Sequence, residues 1–266
     1  MRKYPFYQVD AFTSTVFGGN PAGVVLLDSW LPDEQMQAIA AENYLPETAF
    51  VIPENDDFGL RWFTPKTEID LCGHATLAAA FVLFQRNPGT RIQFQTVSGV
   101  LSVRQIDGKL ELDFPSRPPH DAQVTIAHMA EVMGQKPELV LTSRDLFVVY
   151  ENEETLRLLQ PDFQAIQQLD HLAVIVTAPG DNVDFVSRFF APKIGIPEDP
   201  VTGSAHCSLI PYWAKRLGKS SLHALQLSPR GGELFCVNLE DRVLISGTAV
   251  TYLVGEISLG PSAETS

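Results

Sequence analysis

Cysteine is scarce in this chain of 266 residues. Only Cys72, Cys207 and Cys236 occur, an odd number and far apart. That excludes a disulfide framework and fits thiols kept reduced in the cytoplasm. Positive charge is also in short supply: 19 Lys and Arg stand against 32 Asp and Glu, for a formal net charge of −13, and no basic run exceeds two residues. Nucleic acid is excluded as a partner on that ground. No apolar stretch approaches the roughly 20 residues needed to cross a bilayer, and the first ten residues carry no signal-peptide core. The expectation is a soluble cytoplasmic protein without membrane attachment. Metal-ligand spacing is missing as well. Among six histidines no two sit three or four apart on one helix, and the neighbours His206 and Cys207 point in different directions from a helix. The composition therefore calls for no metal.

What the chain has instead is a pattern stated twice. Arg61-Trp-Phe-Thr-Pro-Lys66 returns as Arg188-Phe-Phe-Ala-Pro-Lys193, and behind each comes a small-residue turn that opens an apolar helix, at Cys72-Gly-His-Ala and Thr202-Gly-Ser-Ala. The offset is 127 residues at Arg61/Arg188 and 130 at Gly73/Gly203, a three-residue insertion that the alignment assigns to the acidic stretch from Pro197 to Pro200. Downstream, Gly99 to Leu110 matches Gly232 to Val243 at an offset of 133. Each copy alternates like a hairpin, with Asp107-Gly108 and Glu240-Asp241 at the two-residue turn. Upstream, Pro32-Asp33 and Pro161-Asp162 both read as capped helix starts. Two copies of a unit this long predict two pseudo-symmetric α/β (α+β) lobes, each a mixed sheet or barrel wrapped around a central apolar helix. The lobes fall at 1–117 and 118–266, with a C-terminal strand at about 252–260 returning to the first. Ligands of such pairs bind at the seam.

Hydrophobic periodicity predicts strands over Tyr4 to Phe12, Val24 to Leu27, Thr48 to Ile52 and Leu60 to Phe63, a helix over 33–42, and a buried helix over Ala75 to Phe84 that is apolar all round. Phe17 to Gly23, dense in turn formers, reads as a loop able to hold backbone close to a ligand. The proline-rich 115–122 reads as the inter-lobe linker. Beyond it come helices at 125–133, 161–168 and 204–217, strands at 146–150, 172–177 and 186–190, strands around 222–258, and a frayed tail from Pro261.

Both central helices start at a glycine beside a polar residue, Gly73-His74 and Gly203-Ser204. Free amides and the positive end of the macrodipole at such starts attract an anion, although plain N-capping by Ser204 explains one of them equally well. Glu47 lies just before an apolar strand with no basic neighbour, and a carboxyl group in an apolar cleft is suited to general acid/base work near neutral pH. Asp199, assigned to the insertion, reads as a site residue or a helix cap. Asn20 offers its amide beside the same cleft.

Taken together, Asp10-Ala-Phe, Gly19-Asn-Pro-Ala-Gly, Pro46-Glu47-Thr, Phe63-Thr-Pro, Leu71-Cys-Gly-His-Ala-Thr and Glu198-Asp-Pro-Val-Thr-Gly-Ser-Ala resemble the PhzF-like isomerases of the phenazine biosynthesis family, across essentially the whole chain. The resemblance implies a diaminopimelate-epimerase-like fold, no cofactor and a homodimer. It makes Glu47 the acid/base that moves a proton between two carbons of a small unsaturated cyclic amino acid. His74, Asp199 and Ser204 become proton-relaying or orienting groups. Amides near Gly73 and Gly203 then hold the substrate carboxylate, and Asn20, Cys72 and Thr202 join them as substrate-binding residues. The phenazine enzyme has a motif closer to Gly-His-Pro at the first helix start, where this chain has Gly73-His74-Ala75. The resemblance therefore speaks to the reaction type more than to the substrate.

Three other readings share these residues. Racemases and epimerases pair two cysteines at the helix starts, but the mate of Cys72 is Thr202, whose hydroxyl is too weak an acid; a lyase that does not return the proton is a variant of the same chemistry. Hydrolysis by Ser204 or Cys72 with His74 lacks a Gly-X-Ser-X-Gly elbow, and two residues apart at a helix start is a poor spacing for nucleophile and base. A non-catalytic metabolite-binding or scaffold protein would keep the same ligand contacts.

Overall fold

The structure is a computed structural model that describes residues 2–260; the tail from Pro261 lies outside the described residues. Two compact units divide the chain. One holds the described residues through Phe17, Pro21–Leu112 and those from Thr248 onward, and the other holds Gly18–Asn20 and Asp113–Gly247.

In the first unit, β1 (Arg2–Ala11) pairs antiparallel with β17 (Ala249–Leu259) and also pairs with β2 (Asn20–Leu26). The sheet continues through β3 (Glu47–Glu54), parallel to β2, then β4 (Asp57–Phe63), β6 (Arg91–Thr96), β7 (Gly99–Ile106) and β8 (Lys109–Pro115), with the short β5 (Glu68–Ile69) beside β4. The turn-rich stretch expected to be a loop up to Gly23 is strand from Asn20. Its residues 20–25 are buried, and Ala22 stands opposite Glu47, so pairing and burial override the turn propensity of Asn-Pro.

Alternation along β3 settles which side chains meet which helix. Phe50 joins Tyr4, Val25, Phe63 and the buried Met36, Ile39 and Ala40 of α1 (Asp33–Asn43) in one cluster. Glu47 and Ala49 point to the opposite face, toward α2 (Gly73–Arg86). Eleven residues of α2, from Gly73 to Phe84, are buried, as its all-round apolarity requires.

The second unit runs from β9 (His120–Asp121) and α3 (Ile126–Met133) into β10 (Leu139–Thr142), β11 (Leu146–Val149), α4 (Glu153–Arg157), α5 (Phe163–Gln168), β12 (Val174–Pro179) and β13 (Phe185–Phe190). A 3-10 turn (Pro192–Ile194) and α6 (Gly203–Leu217) follow, then β14 (Ser221–Gln226), β15 (Gly232–Leu239) and β16 (Arg242–Gly247). Pairing is mixed: β11 with β12 and β13 with β14 are parallel, and the other ladders from β10 to β16 are antiparallel. Sequence reading missed β10 and α4, each too short to show a period; α4 is started by the Asn152 side chain, which accepts from the Thr155 amide.

Helix α6 contains Pro211, which has no N–H for the carbonyl four residues back. The Arg117 amide fills the gap, donating to the Cys207 carbonyl at 2.8 Å. Trp213 stacks on Phe185, with centroids 5.7 Å apart, and donates through Nε1 to Thr177 Oγ1.

The repeated hexapeptides build the same local device. Arg61 lies over the Phe63 ring and grips Glu68 with two nitrogens at 2.6 Å; Arg188 lies over Phe190 and grips Glu198 at 2.7 and 3.0 Å. Equating Glu68 with Glu198 gives the offset of 130 before Asp199 is reached, which moves the insertion back to the 3-10 turn region. Asp199 is thus part of the common pattern and not of the insertion. Of the two helix starts expected to be capped, Asp162 caps α5 through the amides of Gln164 and Ala165, whereas α1 begins after Pro32 without a side-chain cap and Asp33 bonds Arg61 instead. Both hairpin turns form where expected, with Asp107, Gly108 and Glu240 at positive φ.

Gly232 opens β15 against the loop that enters α6. A Cβ there would sit 2.2 Å from Val201 Cγ2, and Val201 is fully buried. Gly232→Ala should therefore cost about 1–3 kcal/mol by overpacking. A chemical denaturation midpoint unchanged from wild type would contradict this.

Candidate active site

The first unit brings Glu47, Cys72 and His74 together, all buried. Glu47 is the first residue of β3, on the face turned to α2, and His74 is in the first turn of that helix. Their Oε2 and Nε2 atoms form an ion pair at 3.0 Å. Cys72 is the N-cap of α2 with extended backbone, φ −144° and ψ 110°. That conformation takes its side chain off the helical spacing, so Sγ reaches His74 Nδ1 at 3.6 Å. Thiol and imidazole thus meet although two residues apart at a helix start is a poor spacing for a nucleophile and its base. One donor atom from each of Glu47, Cys72 and His74 lies within 4.8 Å of the others, a grouping that histidine spacing alone does not reveal.

Burial alone would lower the His74 pKa, but Cys72 and Glu47 facing it reverse that and hold it well above 6.5. Burial pushes the Cys72 thiol up, against the lowering influence of His74.

In the second unit Asp199, Thr202 and Asn20 form one buried network. Asn20 Nδ2 donates to Asp199 Oδ1 and to the Val201 carbonyl, both at 2.9 Å, and Thr202 Oγ1 donates to Asp199 Oδ2. Asp199 is therefore not a helix cap. Thr202 is the N-cap of α6, but its side chain makes no capping bond. Ser204 does not cap either; it lies one residue inside the helix, and its Oγ accepts from Arg144 Nη2 at 3.3 Å. The Gly73 and Gly203 amides thus open helices that no N-cap side chain closes.

Sequence reasoning missed Gln226 and Arg144. Gln226 Oε1 accepts from the Thr202 amide at 2.8 Å, and its Nε2 donates to the Asp199 carbonyl at 2.8 Å, so it fixes the loop from both sides. A signal was present. Leu222, Ala224 and Gln226 alternate inward along β14, and a polar residue at the end of such a stripe needs buried partners. Arg144 left no local signal. Asn20→Ala strips donors from a buried carboxylate and a carbonyl, and is expected to destabilise by about 2–3 kcal/mol in urea unfolding, where an effect below ~0.5 kcal/mol would contradict the network.

The chain belongs to the PhzC/PhzF family, described as phenazine biosynthesis-like protein, whose sequence pattern matches residues 9–255. It is 54% identical over 257 residues to an uncharacterized isomerase of Pseudomonas aeruginosa, covering 96% of this chain and 98% of that one. A crystal structure of a phenazine biosynthesis protein of the PhzF family from Enterococcus faecalis is 50% identical, with a TM-score of 0.95 over 97% of this chain and all of that one. A hydroxyproline epimerase of Agrobacterium vitis shares the fold at 12% identity, with a TM-score of 0.65 over 98% of this chain and 94% of that one. The protein is an isomerase with the mixed α/β fold of this group. Among the described residues no helix is long and apolar enough to cross a membrane.

Proposed function

We propose that the protein is a cofactor-independent isomerase that moves a proton between two carbons of a small unsaturated carboxylate or amino acid, with Glu47 as acid and base. The observation that carries this reading is the buried 3.0 Å pair of Glu47 and His74. Oε2 faces His74, which leaves Oε1 for the substrate. A C–H bond breaks as its proton passes to Oε1, and the electron pair spreads into the substrate π-system. The proton then returns to the far carbon as the new C–H bond forms. The carried proton exchanges with solvent in a fraction of turnovers before it returns, and His74 at 3.0 Å holds the carboxylate in place. The roles expected of Asp199 and Ser204 in orienting the ligand belong to the same proposal, as do carboxylate contacts from the Gly73 and Gly203 amides and substrate contacts from Asn20, Cys72 and Thr202.

Cytoplasmic location and a homodimer complete the reading. Three free buried thiols support the first. An apolar strip supports the second: Phe17, 67% exposed, packs edge-on against Tyr252, near the 66% exposed Val254.

The test is proton NMR in D2O over a panel of small unsaturated and hydroxylated amino acids. Deuterium incorporation or a new isomer supports the proposal. No exchange with ligands shown to bind would replace it with a metabolite-binding protein.

A further inference from the structure

The cluster that the proposed chemistry uses also has the donor set of a metal site. We infer that Glu47, Cys72 and His74 bind a thiophilic divalent cation of the zinc class, and that this cation switches the proton transfer off. Binding stands on the geometry alone; inhibition rests on the proposed role of Glu47.

One donor atom from each residue lies within 4.8 Å of the others, close to the roughly 3–4 Å that zinc bonds of about 2.0–2.3 Å set between ligand atoms in a tetrahedron. Glu47 and Cys72 face opposite nitrogens of His74, Nε2 and Nδ1, so binding one cation requires the ring to give up one of these contacts and turn a single nitrogen to the metal. Thiolate, imidazole and carboxylate are the ligand types that zinc takes, and three protein ligands leave one coordination position open, as in sites of the catalytic type. Charge balances as well. A bound dication drives off the thiol and imidazolium protons, and the thiolate and carboxylate then neutralise it. About half a unit of positive charge at the start of α2 opposes the cation, a smaller quantity than the two anionic ligands. Occupation takes Glu47 and His74 out of their pairing, so the carboxylate no longer accepts a substrate proton. His206 and Cys207, the sequence neighbours, do not compete: His206 Nδ1 is held by the Thr202 carbonyl at 2.9 Å, and burial pushes the Cys207 thiol up to about 11.

The experiment uses the full-length protein and Co2+ as the probe. One equivalent is expected to produce the thiolate-to-cobalt charge-transfer band in the near ultraviolet, and Zn2+ to displace it. Cys72→Ser should weaken Co2+ binding by roughly 100-fold or more, since even outer-shell changes cost about 10–100-fold. Cys207→Ser should keep the band. Absence of the band in wild type, or its survival in Cys72→Ser, overturns the site. Should Cys72→Ser fail to fold, anomalous diffraction from zinc-soaked wild-type crystals decides: a peak among the three side chains supports the inference and a peak elsewhere or none refutes it. Solvent exchange that persists in protein saturated with Zn2+ at this site would leave the metal site standing and remove Glu47 from the chemistry. Exchange without any cobalt band would do the reverse.

Discussion

Glu47→Gln is expected to lower the rate of solvent-proton exchange into substrate by about 10²–10⁴-fold, the usual contribution of a positioned acid/base, with ligand affinity little changed. The substitution is isosteric, so β3 and its register stay as they are. It removes the negative partner of His74 at 3.0 Å. A buried imidazole without that partner releases its proton instead of remaining an unpaired charge, which keeps the cost to stability near 1 kcal/mol. Glu47→Asp retains the charge but withdraws it by one methylene. A displacement of about 1 Å in a reacting group costs on the order of 10²-fold, so this variant should also be slow while binding normally. Turnover of Glu47→Gln at the wild-type rate, measured by deuterium incorporation, would remove the proposed mechanism.

The second large effect is on stability and comes from His206. Its ring is fully buried in α6, with Nδ1 donating to the Thr202 carbonyl, and burial lowers its pKa from 6.5 to about 4. Between these values the unfolded chain binds a proton that the folded chain refuses. The stabilising contribution is fully present above pH 6.5 and is lost as pH falls toward about 4, amounting to about 3 kcal/mol from this residue. His206→Asn keeps a donor for the same carbonyl without a titrating ring. Its stability should fall less steeply between pH 6.5 and 4 than that of wild type, by about that amount in urea unfolding at a series of pH values. Parallel curves for the two proteins would show that His206 titrates normally.

Much of this arrangement was legible in the residues because it depends on patterns within a few turns or strands. The all-round apolarity of 75–84 fixed a core helix, and the two-residue turns at Asp107 and Glu240 fixed both hairpins. Glu47 and His74 were picked out separately, but no local pattern announces that a residue opening β3 meets one in α2; strand pairing and the alternation of β3 do that. The contact of Cys72 with His74 is not legible from their spacing, because the backbone of Cys72 is extended and leaves helical geometry. Asp199 was singled out for its place in an insertion, and the Arg188–Glu198 pair moves that insertion elsewhere. Gln226 and Arg144 act on segments remote in sequence, Gln226 on the loop before α6 and Arg144 on Ser204. Such pairings appear only once the chain is folded.

The second unit includes Gly18–Asn20, contributed from far upstream, and Arg230 holds the carbonyls of Gly18 and Gly19 at 2.9 and 2.8 Å. No single cut therefore yields that unit as a contiguous fragment. One beginning at Asp113 lacks the Asn20 amide under Asp199, and one beginning after Arg117 also lacks the donor that answers Pro211. Chimeras between relatives must exchange these separated pieces as a set. The covalent order of the chain is a poor guide to its exchangeable parts.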